Sequence, residues 1–507
     1  MKLRSLSVIY LDGNNLSSAI PEFLAKFSNL TTLSLSECNL QGEFPKAILQ
    51  VQTLQRLDLS NNPDHSGNFS VFQQNRSLKK LSLSDTGFSG SLPDSIGNLH
   101  NLSRIELSNC SFVGAIPSTM ANLTSLAYVD FSNNNFNGPF PSFQKSKKLV
   151  YIDLSHNALT GPLFSSHFKG LTELKYVNLG SNLLHGNIPP NLFSLPSLHS
   201  LYLNENLFDG QVNEFANAFA SQLDTLDLSS NRLNGTIPKS FFKLPKLSVL
   251  TLSSNFFSGK MQFNVIEKLP DLSVLDLSYN NLTVNTTNSV EAMFSSPQIR
   301  VLSLASCKLE KFPNLRNQSK LVRLDLSDNQ IKGRIPNWIW QVGKGGLTLL
   351  DLSYNLLENL EEPYRINTSL TVIDLHSNRL QGNLPSPPAF SIYVDYSDNN
   401  FSSIIPHEIG NSLVPAFQTF SEDSFEDNPG LCGFPLNATC DNSSSKGSSS
   451  NGSHSGPKSK VRWEYVTFCL GFVVGFSAVL WLLLHNKICR EIFNRNLNSV
   501  LQRLFLQ

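Results

Sequence analysis

Six side chains with the chemistry for recognition recur at one place in a periodic pattern: Arg56, Lys80, Arg104, Tyr128, Tyr151 and Tyr176, 23 to 25 residues apart. Three cations followed by three phenols offer charge-assisted hydrogen bonds and aromatic contacts, which hold ligands rather than break bonds. Asp58, Glu106, Asp130 and Asp153 stand two residues further on in their segments and are expected on the same side. Two readings follow. Either the acids neutralise the cations and the surface is ordinary, or the exposed tyrosines mark a contact stripe. At ~4.8 Å between neighbouring strands, the stripe would be roughly 25 Å long and would suit a negatively charged or sugar-bearing peptide or oligosaccharide.

Groups that could do bond chemistry are scattered. The segment QVGKGGLTLL (341–350) has Gly and Lys but not the spacing of a phosphate loop. Ten histidines show no metal-ligand spacing, so no metal or cofactor is expected. Serine and aspartate abound, but as the S and D of a recurring LDLS. The chain reads as a non-enzyme. Its 39 basic and 39 acidic residues give no pull towards nucleic acid.

What positions the six residues is a motif, L-x-x-L-x-L-S-x-N-x-L-x-G-x-I-P, restarting every 22 to 27 residues from Leu3 to about residue 414. No unit of that size buries its apolar side alone, so a solenoid is predicted, with the leucines inward. The x positions of x-x-L-x-L-x-x alternate outward on a short strand and line one concave parallel sheet. The spacing gives 17 repeats, the first near Leu3 and the last near Ser391. The expected fold is an α/β solenoid, a right-handed leucine-rich-repeat superhelix, followed by one transmembrane helix. Asn62, Asn134, Asn157, Asn182 and Asn231 are expected to bond to backbone as a ladder, with Cys38, Cys110 and Cys307 at the same position. Gly90, Gly114, Gly235 and Gly333 are expected in turns with positive φ, and Pro93, Pro117, Pro238 and Pro336 to stop strand pairing behind them. Units 272–298 and 347–369 lack G-x-I-P and should be irregular.

Beyond the array (1–414), residues 415–440 read as a cap, with Cys432 and Cys440 as a short cystine loop and hence an oxidising, extracellular setting. Candidate N-glycosylation sites are Asn15, Asn29, Asn68, Asn75, Asn101, Asn109, Asn122, Asn234, Asn281, Asn285, Asn317, Asn367, Asn400, Asn437, Asn442 and Asn451. Residues 441–464 form a Ser/Gly-rich stalk. The 20 uncharged residues 465–484 are long enough to span a ~30 Å hydrocarbon core. Basic residues flank both ends of that segment, so the cystine loop and sequons set the orientation: repeats outside, tail (485–507) inside. Gly471 and Gly475 form G-x-x-x-G, a helix-pairing motif. The chain opens in mid-repeat without a leader, which reads as a missing natural start with a signal peptide upstream.

Together with FQTFSEDSFEDNPGLCGFPLNATC (417–440), these parts resemble the kinase-less receptor-like proteins of plants, with the plant-specific class of leucine-rich repeat. The resemblance implies a single-pass plasma-membrane receptor in the lipid bilayer. Such a receptor captures an extracellular peptide, protein or oligosaccharide and recruits an adaptor receptor kinase through its membrane helix, as in plant defence. It also implies an N-terminal cysteine-capped region and an island with further repeats before residue 415, which this sequence lacks. The alternatives are a developmental signalling receptor and a truncated, non-signalling paralogue or decoy.

Overall fold

The computed structural model describes residues 5–440 apart from 70, 73–76, 287–296, 367–368, 389, 406–420 and 439. The stalk, the apolar segment 465–484 with Gly471 and Gly475, the tail, and Asn75, Asn367, Asn442 and Asn451 lie outside the described residues. Among the described residues, no helix is long and apolar enough to cross a membrane.

Alternating leucines build one long parallel sheet of 17 strands, three residues each, from Val8–Tyr10 to Tyr393–Asp395, one for each repeat in the sequence. The middle residue of each strand points inward: Leu57, Leu81, Ile105, Val129, Ile152 and Val177 have no exposed surface. Each buried aliphatic side chain contributes roughly 1.5–3 kcal/mol relative to exposure. The first and third residues of each strand face outward, so every strand adds two positions to one open face.

A second parallel sheet of 11 strands runs beside the first, from Gly42–Glu43 to Asn281–Asn285. This corrects the reading of G-x-I-P as a turn. Gly90, Gly114 and Gly235 lie within strands, at φ 84°, 80° and 75°. At Gly333 a Cβ would meet nothing within 4 Å, so its φ of 82°, not crowding, is what selects glycine. The prolines do end the pairing, and they also start the next element. Pro93, Pro117 and Pro336 immediately precede the 3-10 helices Asp94–Asn98, Ser118–Asn122 and Asn337–Trp340. Each proline carbonyl accepts the first i→i+3 bond, as Ile96 N–H to Pro93 O at 3.0 Å. So few residues remain before the next strand that one 3-10 turn fits where an α-helix would not. Among the described residues, the α component of the expected α/β solenoid is therefore confined to Ser165–Phe168.

The second sheet stops at Asn281–Asn285, inside unit 272–298; beyond it come the pair Lys332–Ile335 with Leu356–Leu360 and a three-stranded sheet of Gln381–Gly382, Asn400–Ile404 and Gly430–Cys432. That pair shifts register between Gly333 and Arg334. The extra residue at that shift, Glu358, stands in unit 347–369, which lacks G-x-I-P, whereas unit 272–298 keeps its strand.

The asparagine ladder ties repeat to repeat. Asn134 Nδ2 donates to Leu107 O (2.7 Å), Phe131 O (3.2 Å) and Ser132 O (3.1 Å), and its Oδ1 accepts from Phe112 N–H (3.0 Å). Asn157, Asn182 and Asn231 repeat the arrangement. Cys38, Cys110 and Cys307 keep only the donating half, with Sγ at 3.0, 3.2 and 3.6 Å from Leu11, Leu83 and Leu277 O. Burial pushes the Cys307 thiol up to about 12, which keeps it inert.

The cap is itself an eighteenth turn. Asn428 Nδ2 donates to Tyr396 O (2.9 Å) while its Oδ1 accepts from Phe401 N–H (3.0 Å). Gly430–Cys432 pairs in parallel with Asn400–Ile404, and Phe425 and Leu431 are buried. Cys432 and Cys440 are bridged, Cα–Cα 5.2 Å, and lock this last turn.

The core also holds an imidazole. His65, in the strand Asn62–Gly67, has no exposed surface and packs edge-on between Phe44 and Phe88 at 6.2 and 5.9 Å. Burial holds its imidazole below the ordinary range. Below about pH 6.5 the unfolded chain binds a proton that the folded one refuses, so stability falls as pH falls. Hydrogen exchange in strands 42–43, 62–67 and 86–91, corrected for intrinsic rates, should lose protection between about pH 7 and about pH 5. His65→Phe should flatten that slope; an equal slope in the variant would clear His65.

Candidate ligand-binding face

The strand register sets the six predicted residues in one row: Arg56 beside Lys80, Lys80 beside Arg104, Arg104 beside Tyr128, Tyr128 beside Tyr151, Tyr151 beside Tyr176. The third strand positions put Asp58, Glu106, Asp130 and Asp153 on the same face. The cations are taken up by those acids. Arg56 and Lys80 meet Asp58 at 3.1 and 3.2 Å, Lys80 meets Glu106 at 3.3 Å, and Arg104 also pairs with Glu106. Burial pushes the Asp58 carboxyl up, but the Ser60 hydroxyl and Lys80 outweigh it and hold it below its ordinary value. Glu106 is likewise held down against its burial, chiefly by Arg104 and Lys80. The basic trio is thus paired within the array, three cations sharing two carboxylates.

The tyrosines form a stack. Tyr128 and Tyr151 lie 4.2 Å apart and Tyr151 and Tyr176 4.5 Å, both pairs within 3° of parallel. The Arg104 guanidinium covers the far face of the first ring at 3.5 Å, and Tyr202 tilts against the last at 5.7 Å. Ring faces are therefore used within the stack, and edges and hydroxyls are what remain for a ligand. Burial and Asp153 push the Tyr176 phenol up to about 12, so it stays a neutral donor. A sugar ring cannot lie flat on Tyr128 or Tyr151.

A second row was not anticipated. Asp325, Asp351, Asp374 and Asp395 occupy third positions of consecutive strands and stand side by side. Oδ1 of Asp325, Asp351 and Asp395 accepts from the N–H and Oγ of the serine two residues on, as Asp351 does from Ser353 at 3.0 and 2.6 Å. The LDLS motif accounts for that oxygen and leaves the other outward. His376 replaces the serine at Asp374, its Nδ1 2.6 Å from Asp374 Oδ1. Burial pulls the imidazolium down, but that bond and the facing carboxylates raise it above its ordinary range. Asp374, His376 and Asp395 each bring one donor atom within 4.8 Å of the others, so a metal could be held only by displacing the His376–Asp374 hydrogen bond.

Of the candidate glycosylation sites, Asn15, Asn29, Asn68, Asn101, Asn109, Asn122, Asn234, Asn281, Asn317, Asn400 and Asn437 are exposed and Asn285 is half-buried. None lies on a strand of the long sheet.

Comparison with known proteins fits this architecture. Leucine-rich-repeat family models match residues 4–63, and residues 77–99, 101–123, 222–244 and 320–342. Receptor-like protein 49 of Arabidopsis thaliana is 41% identical over 244 residues, 47% of this chain and 28% of that protein. Receptor-like protein 47 of the same plant is 37% identical over 25% of this chain and 16% of its own length. The chain is similar to the plant leucine-rich-repeat receptor-like proteins. Among solved structures, the ectodomain of the Arabidopsis receptor kinase HAESA, in complex with an extended IDA peptide hormone, is similar at a TM-score of 0.69. It is 29% identical, covering 87% of this chain and 72% of that one. The plant peptide hormone receptor RGFR1 with RGF2 also reaches 0.69, at 26% identity, over 84% and 71%. The matches to curated relatives span under a third of the length of either receptor-like protein named here.

Proposed function

We propose that this receptor-like protein captures an extracellular ligand on the open face of its long sheet and signals, in plant defence, through a receptor kinase. The observation that carries the reading is the uninterrupted face of 17 strands, free of sequons and bearing the Arg104–Tyr176 stack. Similar ectodomains, those of HAESA and RGFR1, are solved with peptides, which favours a peptide over the oligosaccharide. The ring faces buried within the tyrosine stack point the same way.

In this reading the kinase is a partner's, and the uncharged stretch 465–484 is the route through the bilayer. The four-residue spacing of Gly471 and Gly475 would set both on one face of a helix and let a second helix approach closely. Replacing both with leucine raises hydrophobicity, preserving insertion, and holds the backbones apart. Such contacts contribute about 1–2 kcal/mol, so recovery of a co-expressed receptor kinase by immunoprecipitation, at equal surface level, should fall several-fold. Unchanged recovery would remove the membrane helix from the mechanism.

A further inference from the structure

We propose that the strip formed by Asp325, Asp351, Asp374 and Asp395 receives the basic side chains of an extended peptide, lysine or arginine at alternate positions. This rests on the long sheet being the ligand-binding face and names the chemistry of the ligand's far end.

The array supplies its own comparison. In the first third, cations at the first strand position pair with acids at the third, as Arg56 and Lys80 do with Asp58. In the strands that carry Asp351 and Asp374, that first position holds Leu349 and Val372. Among the described residues, no lysine or arginine forms an ion pair with any of the four aspartates, and Oδ2 of Asp325 and Asp351 receives no hydrogen bond. The carboxylates crowd each other instead: burial, with Asp374 and Asp325 alongside, pushes the Asp351 carboxyl up to about 6. Arg323 holds the first position in the strand of Asp325 and is exposed, but among the described residues only His376 pairs with the row.

The rim is aromatic. Tyr279, Tyr354 and Tyr393 are 56%, 47% and 46% exposed, and Tyr393 Oη reaches Asp374 and Asp395 at 3.4 and 3.3 Å. Against the Tyr354 ring, at 4.5 Å, lies His376, whose Nε2 is a buried polar atom with no hydrogen-bond partner. Phenol beside carboxylate is the environment that already holds one cation here: Arg104 sits over Tyr128 and pairs with Glu106. A ligand guanidinium in the strip would repeat those contacts.

Dimensions favour a peptide over a single ion. Four carboxylates at ~4.8 Å spacing cover roughly 14 Å, while alternate side chains of an extended chain fall roughly 7 Å apart on one side. Two basic residues separated by one residue fit the strip. A divalent ion would engage one end and would have to displace the His376–Asp374 bond.

The test uses the full chain and two probes, acetyl-Arg-Gly-Arg-Gly-Arg-amide and its glutamate counterpart, titrated at near-physiological ionic strength. The arginine probe should bind and the glutamate probe should not. Asp351→Asn, Asp374→Asn and Asp395→Asn combined should weaken binding about tenfold or more. Folding should survive, because Asn178 already occupies this position and its Oδ1 accepts from Gly180 N–H at 3.0 Å. A second variant keeps every carboxylate: Leu349→Arg places a cation where Arg56 stands in its own repeat, and should also block the probe. Wild-type affinity in either variant, or displacement of the probe by an equimolar amount of calcium chloride, would overturn the proposal. Tyr128→Ala, Tyr151→Ala and Tyr176→Ala combined should bind the arginine probe as wild type does. If the acidic strip fails while that triple variant still loses the ligand response, the receptor reading stands; if both fail, it falls too.

Discussion

Asn255→Ala is expected to cost on the order of 3–5 kcal/mol and to open the array locally around repeats 10 to 12. The side chain is buried and fully used. Nδ2 donates to Leu228, Leu252 and Ser253 carbonyls at 2.9, 3.2 and 3.2 Å, and Oδ1 accepts from Leu233 N–H at 3.0 Å. Alanine leaves the Leu233 N–H without its partner and removes one of two hydrogen bonds from each of three carbonyls, which keep Asn231 Nδ2, Asn280 Nδ2 and Ser230 N–H. Because each repeat touches only its neighbours, the damage should appear first as lost hydrogen-exchange protection in the flanking strands Thr225–Asp227 and Val274–Asp276. Asn255→Cys should fall between, since the thiols at Cys38, Cys110 and Cys307 keep the donating half of the role. An alanine variant within about 1 kcal/mol of the parent would mean the ladder is decoration.

Replacing Tyr128, Tyr151 and Tyr176 together with alanine is expected to abolish the ligand response while the protein still reaches the surface. The stack gives these side chains a share in stability as well. Two stacked pairs are worth about 1–3 kcal/mol together, a loss that an array with this much buried leucine survives. Phenylalanine at all three positions keeps the stack and removes only the hydroxyls. Since ring faces are occupied, that variant should lose most of the response as well. A wild-type response from the alanine variant at equal surface level would show that the ligand binds elsewhere.

Much of this was legible in the sequence because leucine spacing leaves little choice. The strand register, and with it the row from Arg56 to Tyr176, follows from x-x-L-x-L-x-x alone. The second sheet was not legible, because its strands are short, rich in Gly, Ser and Asn, and have no clean alternation; Thr86–Ser91 reads TGFSGS. The eighteenth turn was hidden by spacing. Asn428 is followed by Leu431 at three residues, where Asn157 is followed by Leu159 at two. Pairing of Arg56, Lys80 and Arg104 with acids was weighed as one of two readings, and only side-chain geometry decides it. The aspartate strip was overlooked for a different reason. The motif explains one carboxylate oxygen so well that the second passed unnoticed.

The ladder has a consequence for how such a chain survives its own synthesis. In Asn134-Asn135-Phe136, Asn157-Ala158-Leu159, Asn182-Leu183-Leu184 and Asn231-Arg232-Leu233, the residue two after the ladder asparagine is a core side chain. That position can never be Ser or Thr without also breaching the core, so these asparagines cannot fall within an Asn-x-Ser/Thr acceptor. Burial would not protect them otherwise, because sugar transfer meets the chain as it emerges, before any repeat has a neighbour to pack on. The same core side chain that packs afterwards thus exempts these four beforehand, while Asn62 and Asn428 are each followed by a proline, which an acceptor excludes. A protein dense in asparagine can carry glycans on its flanks without ever risking one in its spine.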